Sequence, residues 1–139
     1  MTTEELATAI VDKMYTNDGF SRWLGIERVQ DGPGISVLRM TVREEMTNGF
    51  GIAHGGITFS LADSAFAFAC NNRNNLSVAL DVTITFTKAV NMDDVLTAEA
   101  KEFHNGRSTG VYLITVTNQK DEQVALFKGT CFRTGKTLV

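Results

Sequence analysis

The chain has 139 residues, 43% of them hydrophobic and 21% charged, with a formal net charge of -3 at pH 7. That is the composition of a globular domain with room for one core. It excludes a disordered chain, a nucleic-acid binder, which needs a basic stripe, and a helical membrane span, which needs roughly 20 consecutive apolar residues.

The opening run Met1-Thr2-Thr3-Glu4-Glu5-Leu6 lacks the basic-then-apolar pattern of a secretory leader, so the expected compartment is the cytoplasm. A helix is expected over 3–17, capped by Thr3, with Leu6, Ile10 and Met14 as its apolar stripe. Asn17-Asp18-Gly19 reads as the turn that ends it. After the turn Asp31-Gly32-Pro33-Gly34, residues 35–42 alternate as a strand, with Ile35, Val37, Arg39 and Thr41 against Ser36, Leu38, Met40 and Val42. Residues 44–54 form an irregular polar loop. It delivers the chain to Gly56–Cys70, which is apolar on all sides except for one charge, Asp63. Such a helix belongs in a core.

Asn71 to Asn75 mark the next turn. The clearest period of two follows, with Val78, Leu80, Val82, Ile84 and Phe86 on one face and Ala79, Asp81, Thr83, Thr85 and Thr87 on the other. That predicts a half-buried antiparallel strand. Three further strands are expected at 95–103, 108–118 and 123–133, joined by hairpin loops at His104-Asn105-Gly106-Arg107 and Gln119-Lys120-Asp121-Glu122. One buried helix followed by hairpin-linked strands is an α+β pattern. We expect a single domain over 1–139, a curved antiparallel sheet around one long helix with a second helix at the N-terminus. Cys70 and Cys131 read as small buried hydrophobes or, less simply, a reactive thiol. The two histidines, His54 and His104, are too far apart in sequence to suggest a metal cluster.

Asp63 carries the chemical interest. A carboxylate in an apolar helix loses its hydration at a cost of several kcal/mol unless it is paired. It is therefore either a satisfied core acid or a functional group with a shifted pKa. Gly55 and Gly56 open the same helix, where unpaired amides and a partial positive charge make an oxyanion hole possible. Glycine lets a ligand approach those amides, and one of the pair is a candidate for positive φ. His54 could add a donor or simply cap the helix. Asn48 could hold a carbonyl or a water, or be an Asx-turn residue. Asp63 lies seven residues past Gly56, roughly 10 Å along the axis at 1.5 Å per residue. Reacting atoms must approach to about 3–3.5 Å. If both groups serve one site, they come from different chains, and a homodimer with two interfacial sites follows.

Asn48-Gly49, His54-Gly55-Gly56 and the run from Phe59 through Asp63 to Phe66 resemble the hotdog-fold acyl-CoA thioesterases, in particular the PaaI type of phenylacetic acid degradation. The resemblance extends over nearly the whole chain, through Leu24-Gly25-Ile26, Gly106-Arg107 and Ala125-Leu126-Phe127. It implies a hotdog fold and hydrolysis of (hydroxy)phenylacetyl-CoA or a similar acyl-CoA. It also implies Asp63 as nucleophile or general base, a Gly55 or Gly56 amide on the thioester oxygen, and His54 and Asn48 as helpers. No cofactor is implied beyond the coenzyme A of the substrate, and a homotetramer built from the homodimer is expected. The chain departs from the family in carrying Thr87-Lys88-Ala89 where relatives often have Arg-Pro. It also has Ala79 where some members place a hydroxyl.

The phosphates of coenzyme A need cations. Arg107, Lys88, Arg133 and Lys136 are the candidates, each also readable as a solvated charge, with Arg107 favoured for its planar fork. Phe59, Phe66, Phe68 and Trp23 could line an acyl pocket or belong to the core. Two rivals share the motif, a hotdog dehydratase or hydratase of acyl thioesters and a non-catalytic acyl-CoA-binding protein. Release of free thiol separates hydrolysis from the first, and the second requires Asp63 to be dispensable except for stability.

Overall fold

The computed structural model describes residues 1–139. Helix α1 (Thr3–Thr16) opens on a capping box: the Glu5 amide donates to Thr2 Oγ1, and the Thr2 amide donates to Glu5 Oε1, both at 3.0 Å. The cap is thus Thr2, not Thr3, whose hydroxyl turns aside to Glu4. Its buried face is Ala7, Ile10 and Val11, rotated from the expected stripe, with Leu6 and Met14 only half-buried. Asp18 is a cap too, not only a turn residue. It accepts from the Ser21 amide and starts a short second helix, α2 (Gly19–Trp23), too brief to show a period in sequence.

Strand β1 (Glu27–Gly32) is polar and lies at a sheet edge, so alternation did not reveal it. β2 (Ile35–Thr41) turns Ser36, Leu38 and Met40 inward. The following loop carries one 3-10 turn (Glu44–Met46) and leads to α3 (Gly55–Asn71). Then come β3 (Ser77–Phe86), β4 (Val95–Asn105), β5 (Thr109–Thr117) and β6 (Gln123–Arg133). His104 and Asn105 belong to β4, past a bulge at Glu102/His104, so the hairpin loop there is shorter than expected. The six strands form one antiparallel sheet in the order β1-β2-β4-β5-β6-β3.

The sheet curves around α3, which touches β2 through β6. Leu61, Ala65 and Phe66 of the helix meet Leu38, Leu96, Ile114 and Phe127 of the strands in one core. Gly129 permits that closeness: a Cβ there would stand 2.7 Å from the Phe66 ring. A curved antiparallel sheet around a long helix is the hotdog arrangement. Of the four aromatics considered for a pocket, Phe66 and Phe68 are core and Phe59 packs against it. Trp23 is exposed and stacks on Phe20.

Two surfaces remain uncovered. Gly56, Ser60, Asp63, Ser64 and Ala67 form a stripe along α3 that the sheet does not fully bury. β3 is the sheet's other edge, and Val78, Leu80 and Phe86 are 52%, 62% and 52% exposed. Only Val82 and Ile84 of that apolar face pack on the core, because a bulge at Ala79/Asp81 turns the strand. No helix is long and apolar enough to cross a membrane.

Candidate active site

The N-terminus of α3 is built by the loop before it. The Asn48 amide donates to Ile52 O at 2.7 Å, the Ala53 amide to Val90 O at 2.8 Å, and the His54 amide to Met46 O at 2.8 Å. These bonds fix the entry of the chain into the helix. His54 is the cap: its Nδ1 accepts from the Gly56 amide at 2.9 Å. With Nδ1 an acceptor, the proton of the neutral ring sits on Nε2. Gly56's amide is therefore taken, whereas the Gly55 amide has no partner in the chain and faces a cleft. Neither glycine has positive φ, contrary to expectation. Glycine matters at 55 for space, since a Cβ there would lie 3.2 Å from Phe86 Cζ.

The cleft holds about 400 Å³. Ile52, Ala53, Phe86 and Val90 supply apolar walls; Asn48, Gly55, Thr58 and Lys88 supply the polar points. Asn48 is both of the things its sequence suggested. Its Oδ1 closes an Asx turn, accepting from the Phe50 amide at 2.9 Å and the Ile52 amide at 3.4 Å, while its amide nitrogen stays free on the cleft wall. Lys88 stands at the rim, 3.0 Å from Glu122 Oε2.

Asp63 does not line this cleft, as the helical rise requires. It is half-buried on the uncovered stripe, accepts no hydrogen bond, and burial raises its carboxyl above the ordinary Asp range. A satisfied core acid would have a donor; Asp63 has none.

The remaining cations lie elsewhere. Arg133 is 6% exposed and does not reach out from its strand end. It donates to Cys70 O, Ser77 Oγ, Asn105 Oδ1 and Tyr112 OH within 3.0 Å. The expectation that it binds phosphate is corrected, because its guanidinium is committed inside the fold. Arg107 is exposed in the β4–β5 turn near Arg133, and Lys136 is exposed in the C-terminal segment beside Leu76. Both are at the far end of β3 from Lys88. Ala79 is exposed on β3 and offers no hydroxyl. Cys70 and Cys131 are buried and form no disulfide. No three His, Cys, Asp or Glu side chains converge as a metal site.

Sequence reasoning missed Thr58 and the Phe86 ring over Gly55. The signal for Thr58 was its place three residues after Gly55, on the same side of the helix one turn further in.

Residues 50–125 match the family model of the thioesterase superfamily. The chain is 45% identical over 125 residues to the acyl-coenzyme A thioesterase PaaI of Escherichia coli, a match covering 90% of this chain and 89% of that protein. The structure is similar to that of the E. coli PaaI protein from the phenylacetic acid degradation operon, with TM-score 0.96 and 42% identity, covering 98% of this chain and 99% of that one. It is also similar to a hypothetical thioesterase of Streptococcus pneumoniae solved with coenzyme A. There the TM-score is 0.78 and the identity 32%, over 81% of this chain and 90% of that one.

Proposed function

Because this chain belongs to the thioesterase superfamily, we propose that it is an acyl-CoA thioesterase, releasing coenzyme A and the free acid from (hydroxy)phenylacetyl-CoA or a similar aryl acyl-CoA. The observation that carries the reading is Asp63, an unpaired half-buried carboxylate on the uncovered stripe of α3. A group so placed is costly to the fold and suited to proton transfer or attack.

In this reading the thioester oxygen sits on the free Gly55 amide, where the positive end of α3 and a fixed donor favour the charge of a tetrahedral intermediate. Asp63 arrives from a second copy of the chain. As general base it takes a proton from the attacking water; as nucleophile it forms an anhydride that water then opens. In the first route the C–S bond breaks as Asp63 passes that proton to the departing sulfur; in the second it breaks as the anhydride forms, coenzyme A leaves as the thiolate, and the proton is released when water opens the anhydride. Asn48 and the Nε2 proton of His54 are the nearby donors for the carbonyl or the water. Lys88 at the rim is the nearest cation for a coenzyme A phosphate, with Arg107 and Lys136 reaching that rim only from a second chain.

Support for the dimer comes from β3. Its outer edge pairs with no strand of this chain, and an edge of unpaired amides and carbonyls beside exposed Val78, Leu80 and Phe86 is suited to pairing with a second β3. Antiparallel pairing about a two-fold axis would bring the stripe of one α3 towards the cleft of the other. Further pairing of dimers gives the homotetramer.

Asp63→Asn tests the chemistry. It should keep fold and substrate binding while kcat falls by about 10² or more, read as thiol release from phenylacetyl-CoA. Heterodimers of Asp63→Asn with Gly55→Ala chains test the sharing, because one of their two sites holds both intact halves and activity should return in part. Full activity of folded Asp63→Asn would overturn the catalytic role. Verified heterodimers without rescue would overturn the shared site.

A further inference from the structure

We propose that the Thr58 hydroxyl is a specificity determinant of the cleft, hydrogen-bonding an oxygen carried by the acyl group, a ring hydroxyl in the aryl thioesters considered above. The inference rests on the thioesterase reading. Thr58 is 2% exposed and yet lines the cleft. The other hydroxyls nearby are engaged: Thr87 Oγ1 donates to Gln123 O at 2.9 Å, and Ser60 Oγ donates back to Gly56 O at 2.7 Å, the ordinary outlet for a helical hydroxyl. Thr58 makes no such bond. Asn48 Oδ1 is held by its turn and Lys88 by Glu122. The unpaired polar groups of the residues lining the cleft are therefore the Gly55 amide, the Asn48 amide nitrogen, the Thr58 hydroxyl and the Ala89 and Val90 backbone amides, and of these the Thr58 hydroxyl alone can both donate and accept.

Position separates their roles. Thr58 is three residues past Gly55, about 4.5 Å along the axis, with its side chain leaning back towards the helix start. The Thr58 Cα thus stands nearly one turn further along the helix than the Gly55 N–H that would hold the thioester oxygen. A substituent on the acyl group lying deeper in the cleft is within reach. The side chains around it, Ile52, Ala53, Phe86 and Val90, are apolar, which leaves Thr58 as the unengaged hydroxyl among them. A substrate without a matching oxygen leaves the hydroxyl unpaired, and this is how a polar point in an apolar pocket discriminates.

The test compares kcat/KM for phenylacetyl-CoA with its 2-, 3- and 4-hydroxy forms in the wild type, Thr58→Val, Thr58→Ala and Thr58→Ser. We expect the wild type to favour at least one hydroxylated substrate by about tenfold, the worth of one hydrogen bond. Thr58→Val and Thr58→Ala should erase that ratio by losing more on the hydroxylated substrate than on phenylacetyl-CoA, and Thr58→Ser should retain it. The same ratio in wild type and Thr58→Val overturns the proposal. So does an equal loss on every substrate, which would put the hydroxyl on the shared thioester carbonyl. No thiol release by the wild type from any of the four overturns the thioesterase reading itself, a result distinct from both.

Discussion

The two ends of α3 are opposites. At its C-terminal end side chains of the same chain answer the loose polar groups. Arg133 donates to Cys70 O, Asn71 Oδ1 accepts from the Ser77 amide, and Asn72 donates to Gly32 O and Ile35 O while accepting from the Gly34 amide. Tyr112 OH, which accepts from Arg133, donates to Glu102, and Glu102 holds Arg73 in a two-pronged pair. At the N-terminal end the Gly55 amide, the Asn48 amide nitrogen and the Thr58 hydroxyl are unanswered and face a cleft. A helix end needs its loose groups satisfied. One end satisfies them from within the chain and is structural; the other leaves them for a ligand. The same helix thus anchors the fold at one end and, on the proposed function, offers a binding site at the other.

The most damaging change should fall at the closed end. Arg133→Leu removes a cation from the last turn of α3 and leaves Asn105, Ser77 and Tyr112 without a donor. Breaking a buried charged network on one side costs about 3–5 kcal/mol, to be read from urea or thermal unfolding. KM for acyl-CoA in the folded variant should change by less than about twofold. A large rise in KM with unchanged stability would make Arg133 a substrate contact and break the contrast between the two ends.

At the open end the two glycines should separate. Gly55→Ala puts a methyl against Phe86 at 3.2 Å, beside the free amide, and Gly56→Ala meets His54 Nδ1 at 3.1 Å, beside an amide already bonded. Neither position needs positive φ, so neither change strains the backbone. Gly55→Ala should cost about 10² in kcat, the scale of a lost oxyanion donor, and Gly56→Ala about tenfold at most. The reverse order would move the oxyanion site to Gly56 and require His54 to release its amide when substrate binds.

Much of this was legible in the sequence, and the gaps have physical causes. The buried helix, the four later strands and the hotdog class followed from hydrophobic period and resemblance, because those signals come from burial itself. β1 and α2 were not legible, one being a polar edge strand and the other shorter than two helical turns. Val78, Leu80 and Phe86 looked like core because period two reports what is to be covered, not by which chain. Arg133 looked free because a strand end says nothing about where a long side chain points. In the proposed site, the unpaired state of Asp63 and the place of Gly55 and Asn48 beside one cleft fit what the sequence suggested. The division of the two glycine amides between cap and cleft was not legible, since it depends on the ring position of His54.

A smaller effect is expected from pH. Burial raises the Asp63 carboxyl above its ordinary value, so the folded state holds that proton more tightly than the unfolded chain does. The resulting stabilisation is full below the ordinary carboxylate range, near pH ~4, and is lost as pH rises through the raised value. Asp63→Asn removes this dependence. The variant should melt a few degrees above wild type at pH 7 to 8, with the difference closing on acidification. With Asp63 as the proposed base or nucleophile, wild-type activity should fall as pH drops through the same raised value. A melting difference that is constant from pH 4 to 8 would show that Asp63 finds a partner in the assembled protein.

The smallest effect concerns the cations. Lys88 lies at the rim of the cleft, and Arg107 lies near Arg133, with the 10 residues of β3 between the two ends, roughly 30 Å at about 3.3 Å per residue. Within one chain they cannot serve one coenzyme A head group. With β3 paired antiparallel to a second β3, the Arg107 end of one chain would approach the Lys88 end of the other. The Lys88–Glu122 pair is exposed and screened by solvent, so Lys88→Ala should leave the fold alone. Its KM for acyl-CoA should rise by about three- to tenfold and become less sensitive to salt, since a screened attraction to phosphate has been lost. Arg107→Ala should do the same only if two chains share each site. A KM that moves with Lys88 and stays fixed with Arg107 would keep the phosphates on the cleft's own chain, and the open end of α3 would then bind the whole coenzyme A unaided.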